Sequence, residues 1–280
     1  MNYNMKDLVT GALRLTRATE MALGEAGRKE VRDNLVTDVA ARADRVISER
    51  ILEYFKLSGL PCIFLDEEMY GATGSIRLSE NPEYTVAFDD VDGTYNNMRG
   101  RGILPATTIV QVFDSPKPTY RDTLAAGVMD LRTGKIWYAE RGKGVEFDDK
   151  PANTSGETDV HPKTFVILDG AGKDIMPYRR LYKAAWVRDF GTSGLEFAGL
   201  VGGGENNSSM FDAFVHPGNK AHEIPAGFLF LKEAGGFLAC MDSGQPQPFD
   251  DIVYDFNSKH KIVAAATAEL GRKVIELIDW

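Results

Sequence analysis

Cysteine is scarce in this chain, with only Cys62 and Cys240 among 280 residues. A disulfide framework needs more of them, and the paired CxxC spacing of a structural zinc site is missing. Both are expected to be buried thiols in a reducing compartment. Long apolar runs are missing too. None approaches the ~18 residues of a membrane span, and residues 1–25 lack the continuous apolar core of a signal peptide. The expected location is the cytoplasm, with no membrane partner. Positive charge is short: Lys and Arg number 32 against 41 Asp and Glu, for a net charge of −9. That balance disfavours binding to nucleic acid or to an anionic membrane. It leaves an anionic small molecule open, because bound metal ions reverse the local charge. There is no internal repeat and no low-complexity tract.

What is present is ordinary globular material, 43% hydrophobic and 26% charged. Leu8, Ala12, Leu15 and Ala22 recur at helical spacing and predict a helix over 5–26. Val39, Ala43, Val46, Ile47, Ile51 and Tyr54 predict a second over 38–55. A short apolar strand at 62–65 runs into acids, and 71–82 reads as a loop. Strands are expected at 84–88, 107–113, 124–130 and 135–140, separated by turn residues. This half reads as an antiparallel sheet backed by two helices. The polar stretch 150–163 is the expected boundary between a domain at 1–150 and one at 151–280. Beyond it, strands at 165–168, 184–187, 211–215, 236–239 and 262–265 alternate with helices at 194–201, 224–234 and 268–278. That alternation predicts a second α/β layer system packed on the first.

The informative feature is where the acids stand. Glu67 and Glu68 follow one apolar strand, and Asp89 and Asp92 follow another. Acids at the ends of core strands converge at a sheet edge, where they raise one another's pKa unless a cation intervenes. Oxygen ligands without a histidine or cysteine cluster favour Mg²⁺ or Mn²⁺ over Zn²⁺. After Asp92, Gly93-Thr94-Tyr95-Asn96 reads as a tight turn into a short helix. Its first N–H groups point outward and suit a phosphate. The Thr94 hydroxyl is placed to orient a water. The plain alternative is an Asp-Gly turn that only caps a helix.

Phe64-Leu65-Asp66-Glu67-Glu68 followed by Asp89-Asp90-Val91-Asp92-Gly93-Thr94 resembles the GEE and DPIDGT signature of the inositol monophosphatase family. Phe211-Asp212-Ala213-Phe214, Lys220-Ala221-His222-Glu223-Ile224-Pro225-Ala226-Gly227 and Glu233-Ala234-Gly235-Gly236 resemble its DAY, WDxAAG and EAGG segments. Gly142-Lys143-Gly144 resembles its GKGA hairpin. The resemblance implies an αβαβα layered sandwich, an α+β or α/β arrangement, that binds two or three Mg²⁺ and is inhibited by Li⁺. It implies metal ligation by Glu67, Asp89, the Val91 carbonyl, Asp92 and Glu223, and phosphate binding by Gly93 and Thr94. It implies substrate contacts from Gly191, Thr192 and Ser193, with His216 standing where inositol-specific members carry a glutamate. Family habit also implies a homodimer.

The chain departs from the pattern in places. Glu223 replaces the usual aspartate of WDxAAG, as in the related fructose-1,6-bisphosphatases, and His222 replaces the tryptophan. Asp90 replaces the proline of DPIDGT. The aspartate of Leu-Val-Thr-x-x-Asp is Ala40 here, with Asp38 and Asp44 as alternative substitutes.

The expected function is Mg²⁺-dependent hydrolysis of a phosphate monoester of a small metabolite, an inositol or sugar phosphate, by metal-activated water. Glu67, Glu68, Thr94 and Asp92 are the catalytic candidates. A fructose-1,6-bisphosphatase-like activity, a nucleotide 3′-phosphatase and a catalytically weak phospho-ligand-binding protein are the alternatives. Among other residues, Gly202-Gly203-Gly204 lacks the lysine of a P-loop. His161 and His260 are expected to face solvent, and Trp137 and Trp186 the core. His222, Arg188, Arg99 and Arg101 are further substrate-contact candidates.

Overall fold

The computed structural model describes residues 3–27, 30–31, 40–67, 74–100, 103–170, 172 and 174–280. Helix α1 (Met5–Gly27) and α2 (Arg42–Ser58) precede the first sheet. Short strands β1 (Glu30–Val31) and β2 (Ala40–Ala41) pair antiparallel between them. This corrects the expected helix start at 38: Ala40 and Ala41 are engaged as a strand, so the helix begins at Arg42. The next strands are β3 (Cys62–Asp66), β4 (Ile76–Arg77) and β5 (Tyr84–Asp92), followed by α3 (Thr94–Gly100). Then come β6 (Thr107–Phe113), β7 (Thr123–Asp130), β8 (Ile136–Glu140), β9 (Gly144–Phe147) and β10 (Lys150–Pro151). They form an eight-stranded sheet in the order β10-β9-β8-β7-β6-β5-β3-β4. β3 and β5 pair in parallel and the other neighbours antiparallel. β4 lies inside the expected loop, because Ile76 and Arg77 pair with Phe64 and Ile63.

The second half holds β11 (Phe165–Leu168), α4 (Arg179–Ala184), β12 (Trp186–Arg188), α5 (Ser193–Ala198), β13 (Ala213–Lys220), α6 (Ile224–Ala234), β14 (Phe237–Cys240), β15 (Lys259–Ala265) and α7 (Ala268–Glu276). Its five strands run β12-β11-β13-β15-β14.

The apolar residues sort into three clusters that define the layers. Val9, Leu13, Ile47, Ile51 and Phe55 pack with Phe64, Val86 and Val110 on one face of the large sheet. Phe197, Leu229 and Phe230 of α5 and α6 pack with Ile109 and Val128 on its other face and with Phe214 and Ile262 of the second sheet. Leu181, Leu270 and Val274 cover the outer face of that sheet, over Val166 and Val215. The result is the expected αβαβα sandwich. α6 is sandwiched on both sides, which explains why its residues 224–231 are all buried. Each large apolar side chain buried this way contributes about 1.5–3 kcal/mol.

The Gly142-Lys143-Gly144 turn is tied across the layers: the N–H groups of Gly142 and Gly144 donate to the two oxygens of Glu233, at 2.8 and 2.9 Å. Trp137 is buried, but Trp186 is 48% exposed. Its place on the edge strand β12 leaves one face open, so it is not the core residue the sequence suggests. No helix among the described residues is long and apolar enough to cross a membrane.

Candidate active site

Four acids from distant parts of the chain meet at the C-terminal ends of β3 and β5. Glu67 follows β3, Asp89 and Asp92 end β5, and Glu223 precedes α6. Asp89, Asp92 and Glu223 each offer an oxygen within 4.8 Å of the others, and Glu67, Asp89 and His222 form an overlapping group. The β5–β6 register slips between Asp89 and Asp92, an irregularity that re-aims side chains at a strand end.

Asp92 is the most tightly held. Its Oδ2 accepts from Thr192 Oγ1 at 2.7 Å, Thr107 Oγ1 at 2.9 Å and the Gly194 N–H at 2.6 Å. Gly194 must be glycine for that approach: a Cβ there would lie 2.4 Å from Thr107 Oγ1 and 3.1 Å from Asp92 Oδ2. Gly93 has a φ of +84°, and an added Cβ would sit 3.2 Å from the Gly191 carbonyl. The two turns therefore touch, and Asn96 Nδ2 ties them further by donating to the Phe190 carbonyl at 2.7 Å. Thr94 Oγ1 donates to the Val91 carbonyl at 2.8 Å.

Burial pushes the Asp89 carboxyl well above its usual range, and Glu67, Asp92 and Glu223 add to the rise. Burial also raises Glu223, with Asp92 adding to it, and raises Asp92 against its hydrogen bonds. Glu67 is the exception. Burial disfavours its charge, but His222 and Lys220 outweigh that and hold it below the usual value. Lys220 Nζ donates to Glu67 Oε1 at 2.6 Å. Asn219 Nδ2 donates to both Glu223 Oε2 and Ser193 Oγ.

These residues fit a cation. Asp89 Oδ1 is buried and accepts no hydrogen bond, and burial together with the neighbouring carboxylates raises Asp89 and Glu223. A ring nitrogen stands beside these oxygens, where the sequence points to oxygen donors alone. His222 Nε2 lies 3.7 Å from Glu67, 3.9 Å from Asp89 and 4.0 Å from Glu223. The ring is buried, stacked on Phe256 at 4.6 Å, and its Nδ1 faces the Phe256 carbonyl at 3.3 Å. Burial lowers its pKa, favouring the neutral, ligating form.

Of the residues expected from sequence, Glu67, Asp89, Val91, Asp92, Gly93, Thr94, Thr192, Ser193 and Glu223 are gathered here, with Gly191 at the adjoining turn. His216 stands apart from this network. Its Nδ1 accepts from the Gly218 N–H, its ring fills the space beside Gly170, and burial pushes it down to about 4. Arg188 lies over the Trp186 ring at 4.9 Å. Glu68, Arg101 and Asp38 lie outside the described residues. Asp44 is buried in the first turn of α2. It belongs to none of the potential metal-holding groups found among the described residues.

The sequence pattern does not mark two features of the site. Lys220 stands in the sequence only as part of a motif, yet Lys220 and His222, two apart, both converge on Glu67. The other is a further acid group, Asp169, Asp189 and Glu196, drawn from separate segments. Glu196 Oε1 accepts from the Phe190 N–H at 3.2 Å, which sets that group behind the 190–194 turn.

No family model matches the chain. It is 24% identical over 248 residues to the inositol-1-monophosphatase of Mesorhizobium japonicum, covering 85% of each. It is 26% identical over 238 residues to the fructose-1,6-bisphosphatase/inositol-1-monophosphatase of Methanocaldococcus jannaschii, covering 84% of this chain and 83% of that one. A bifunctional NADP phosphatase/NAD kinase of Methanococcus maripaludis is 26% identical over 220 residues, 72% of this chain, and the match spans 36% of that longer protein. Among solved structures, a staphylococcal inositol monophosphatase-1 in a lithium-soaked inhibitory complex superposes with a TM-score of 0.77 at 15% identity, covering 100% and 97% of the two chains. The suhB protein of Bartonella henselae gives 0.76 at 18%, covering 98% of each. The chain is thus a homologue of the inositol monophosphatases and fructose-1,6-bisphosphatase/inositol monophosphatases, and it has their fold.

Proposed function

We propose that this chain is a metal-dependent phosphoric monoester hydrolase acting on a small phosphorylated metabolite, with inositol and sugar phosphates as the first substrates to try. The observation that carries the reading is the buried convergence of Glu67, Asp89, Asp92 and Glu223 beside the Gly93–Thr94 turn. The relatives named inositol monophosphatase and fructose-1,6-bisphosphatase support the same chemistry.

In this reading Glu67, Asp89, Asp92, Glu223 and the Val91 carbonyl hold Mg²⁺, with Mn²⁺ as the alternative, two or three ions per site. When bound, such ions neutralise phosphate charge and lower the pKa of a water. The chain's own residues do the rest. Thr192, Thr107 and Gly194 hold one oxygen of Asp92 and leave the other to face the site. Thr94, with its proton on the Val91 carbonyl, presents lone pairs that orient a water. Gly93, with no side chain, lets phosphate approach the backbone, and the N–H groups beyond it take up negative charge. Lys220 holds Glu67 ionised, and neutral His222 turns its Nε2 toward the same carboxylates. Glu68 helps Thr94 orient that water, and Gly191, Thr192, Ser193 and His216 contact the organic part of the substrate. Li⁺ sensitivity, a cytoplasmic location and a homodimer belong to the same proposal, as the family resemblance implies.

Asp92→Asn keeps the side-chain shape but removes the charge. Its kcat/KM on the best substrate is expected to fall about 10²-fold or more, ~2.7 kcal/mol in barrier height, with an unchanged circular dichroism spectrum. A folded variant that releases phosphate at the wild-type rate sinks the assignment.

A further inference from the structure

Away from the acid cluster, β14 and β15 bring a thiol, a carboxylate and an imidazole together. The strands pair antiparallel with Cys240 opposite Ile262. Side chains two apart on a strand share a face, so Cys240 and Asp242 point the same way as His260 and Ile262. The pairing continues past the strand end: the Met241 N–H donates to the Lys261 carbonyl at 2.8 Å, and the Lys261 N–H to Asp242 Oδ1 at 2.7 Å. His260 is therefore not the solvent-facing residue the sequence suggests, because alternation turns Lys259 and Lys261 outward and His260 inward. Its side chain is 11% exposed.

His260 Nδ1 lies 2.7 Å from Asp242 Oδ2 and 4.0 Å from Cys240 Sγ. One ligand atom of each residue falls within 4.8 Å of the others. The other ring nitrogen, Nε2, meets Ser258 Oγ at 3.2 Å. That hydroxyl also reaches the Asp255 carbonyl at 2.9 Å; with its proton placed there it is free to accept from Nε2–H, the tautomer that leaves a lone pair on Nδ1. With Nε2 protonated, the Nδ1 lone pair and the Asp242 carboxylate face each other as two acceptors. In that tautomer a cation between them satisfies both. A histidine fixed by a partner on its far nitrogen is the usual arrangement at a metal. Independently, the Tyr120 hydroxyl is buried without a hydrogen-bond partner. Its ring packs edge-on to His260 at 6.1 Å. Burial raises its pKa, with Cys240 and Asp242 adding to the rise.

We propose that Cys240, Asp242 and His260 form a second cation site, for a borderline divalent ion of the zinc class. Sulfur, nitrogen and a single carboxylate suit Zn²⁺ and disfavour Mg²⁺, which seeks oxygen. Burial pushes the Cys240 thiol up to about 11, so it binds as thiolate only by yielding its proton to solvent. Binding therefore releases protons and tightens as pH rises. Asp242, 43% exposed, opens the site to solvent. The occupied site would brace the turn before β15, which also receives the Ala221 N–H at the Ser258 carbonyl, at 2.9 Å.

Co²⁺ serves as the probe, since only thiolate ligation gives a near-ultraviolet sulfur-to-cobalt charge-transfer band. The acid cluster, with no cysteine, gives none. Metal-free wild-type protein titrated with Co²⁺ should develop the band, saturating at a single ion per chain, and Zn²⁺ should bleach it. Cys240→Ser should abolish it, with Cys62, buried on β3, remaining as the internal control. Asp242→Asn, at an exposed position that does not endanger folding, should weaken the midpoint at least about tenfold. No band in the wild type, a band that survives Cys240→Ser, or an unchanged midpoint in Asp242→Asn each overturns the site.

Discussion

Lys220→Met separates what the protein supplies at the acid cluster from what a metal supplies. Lys220 is the ammonium whose Nζ meets Glu67 at 2.6 Å, with side-chain exposures of 34% and 25% for the two partners. Breaking a fully buried pair costs about 3–5 kcal/mol, and breaking an exposed one about 0–1. The intermediate burial here puts the loss near 2 kcal/mol, or about 4 °C in melting temperature for a chain of this size. That loss applies when no cation is bound, because Glu67 then faces Asp89 and Glu223 uncompensated. A bound divalent ion neutralises the same carboxylates and makes the ammonium redundant. The variant should therefore melt lower than wild type in chelator and nearly level with it in saturating Mg²⁺. By linkage, its metal affinity should rise by up to roughly thirtyfold, the equivalent of that ~2 kcal/mol. Thermal unfolding and calorimetric Mg²⁺ titration read both quantities. An equal loss with and without Mg²⁺ would refute the reasoning, since Lys220 would then be stabilising something other than the carboxylates that bind the ion.

Other outcomes follow from the same geometry. Thr192→Val removes one of the three donors on Asp92 Oδ2 while keeping its shape; the Mg²⁺ concentration for half-maximal activity should rise about tenfold, and an unchanged activation curve would count against it. Gly227→Ala would put a Cβ 2.0 Å from the Phe197 ring, and such overpacking should cost about 1–3 kcal/mol in denaturant melts. Asp169 is raised from 3.8 to about 6, by burial first and then by Asp189. The native state thus binds more protons than the unfolded chain between those values, and stability falls as pH rises through that window. Asp169→Asn should match wild type below about pH 4 and gain relative stability above pH 6, as read by melts across pH.

The site was legible to the extent that strand ends were. Glu67, Asp89 and Asp92 follow apolar runs, and ends of core strands meet at one sheet edge, so their convergence could be read from the chain. The helix at Ile224–Ala234 and the strands at Phe165–Leu168 and Thr107–Phe113 also stand where their apolar patterns put them. What stayed hidden depends on contacts between distant segments. The Lys220–Glu67 pair spans 153 positions, and nothing near Lys220 marks it as anything but a surface charge. In sequence His222 is only a substitution in a motif; in the fold its ring stands beside three carboxylates. Trp186 has a core residue's composition but an edge strand's position. His260 is the case where a signal was present: its alternation with Lys259 and Lys261, ahead of the buried Ile262, already turned it inward.

The most direct test of the central claim is phosphate release from a panel of inositol, sugar and nucleotide phosphates, NADP⁺ included, each with Mg²⁺ and again with chelator. The account predicts release from at least one member that disappears on chelation. Release that survives chelation, or none from any member by a chain that binds Mg²⁺, would contradict it.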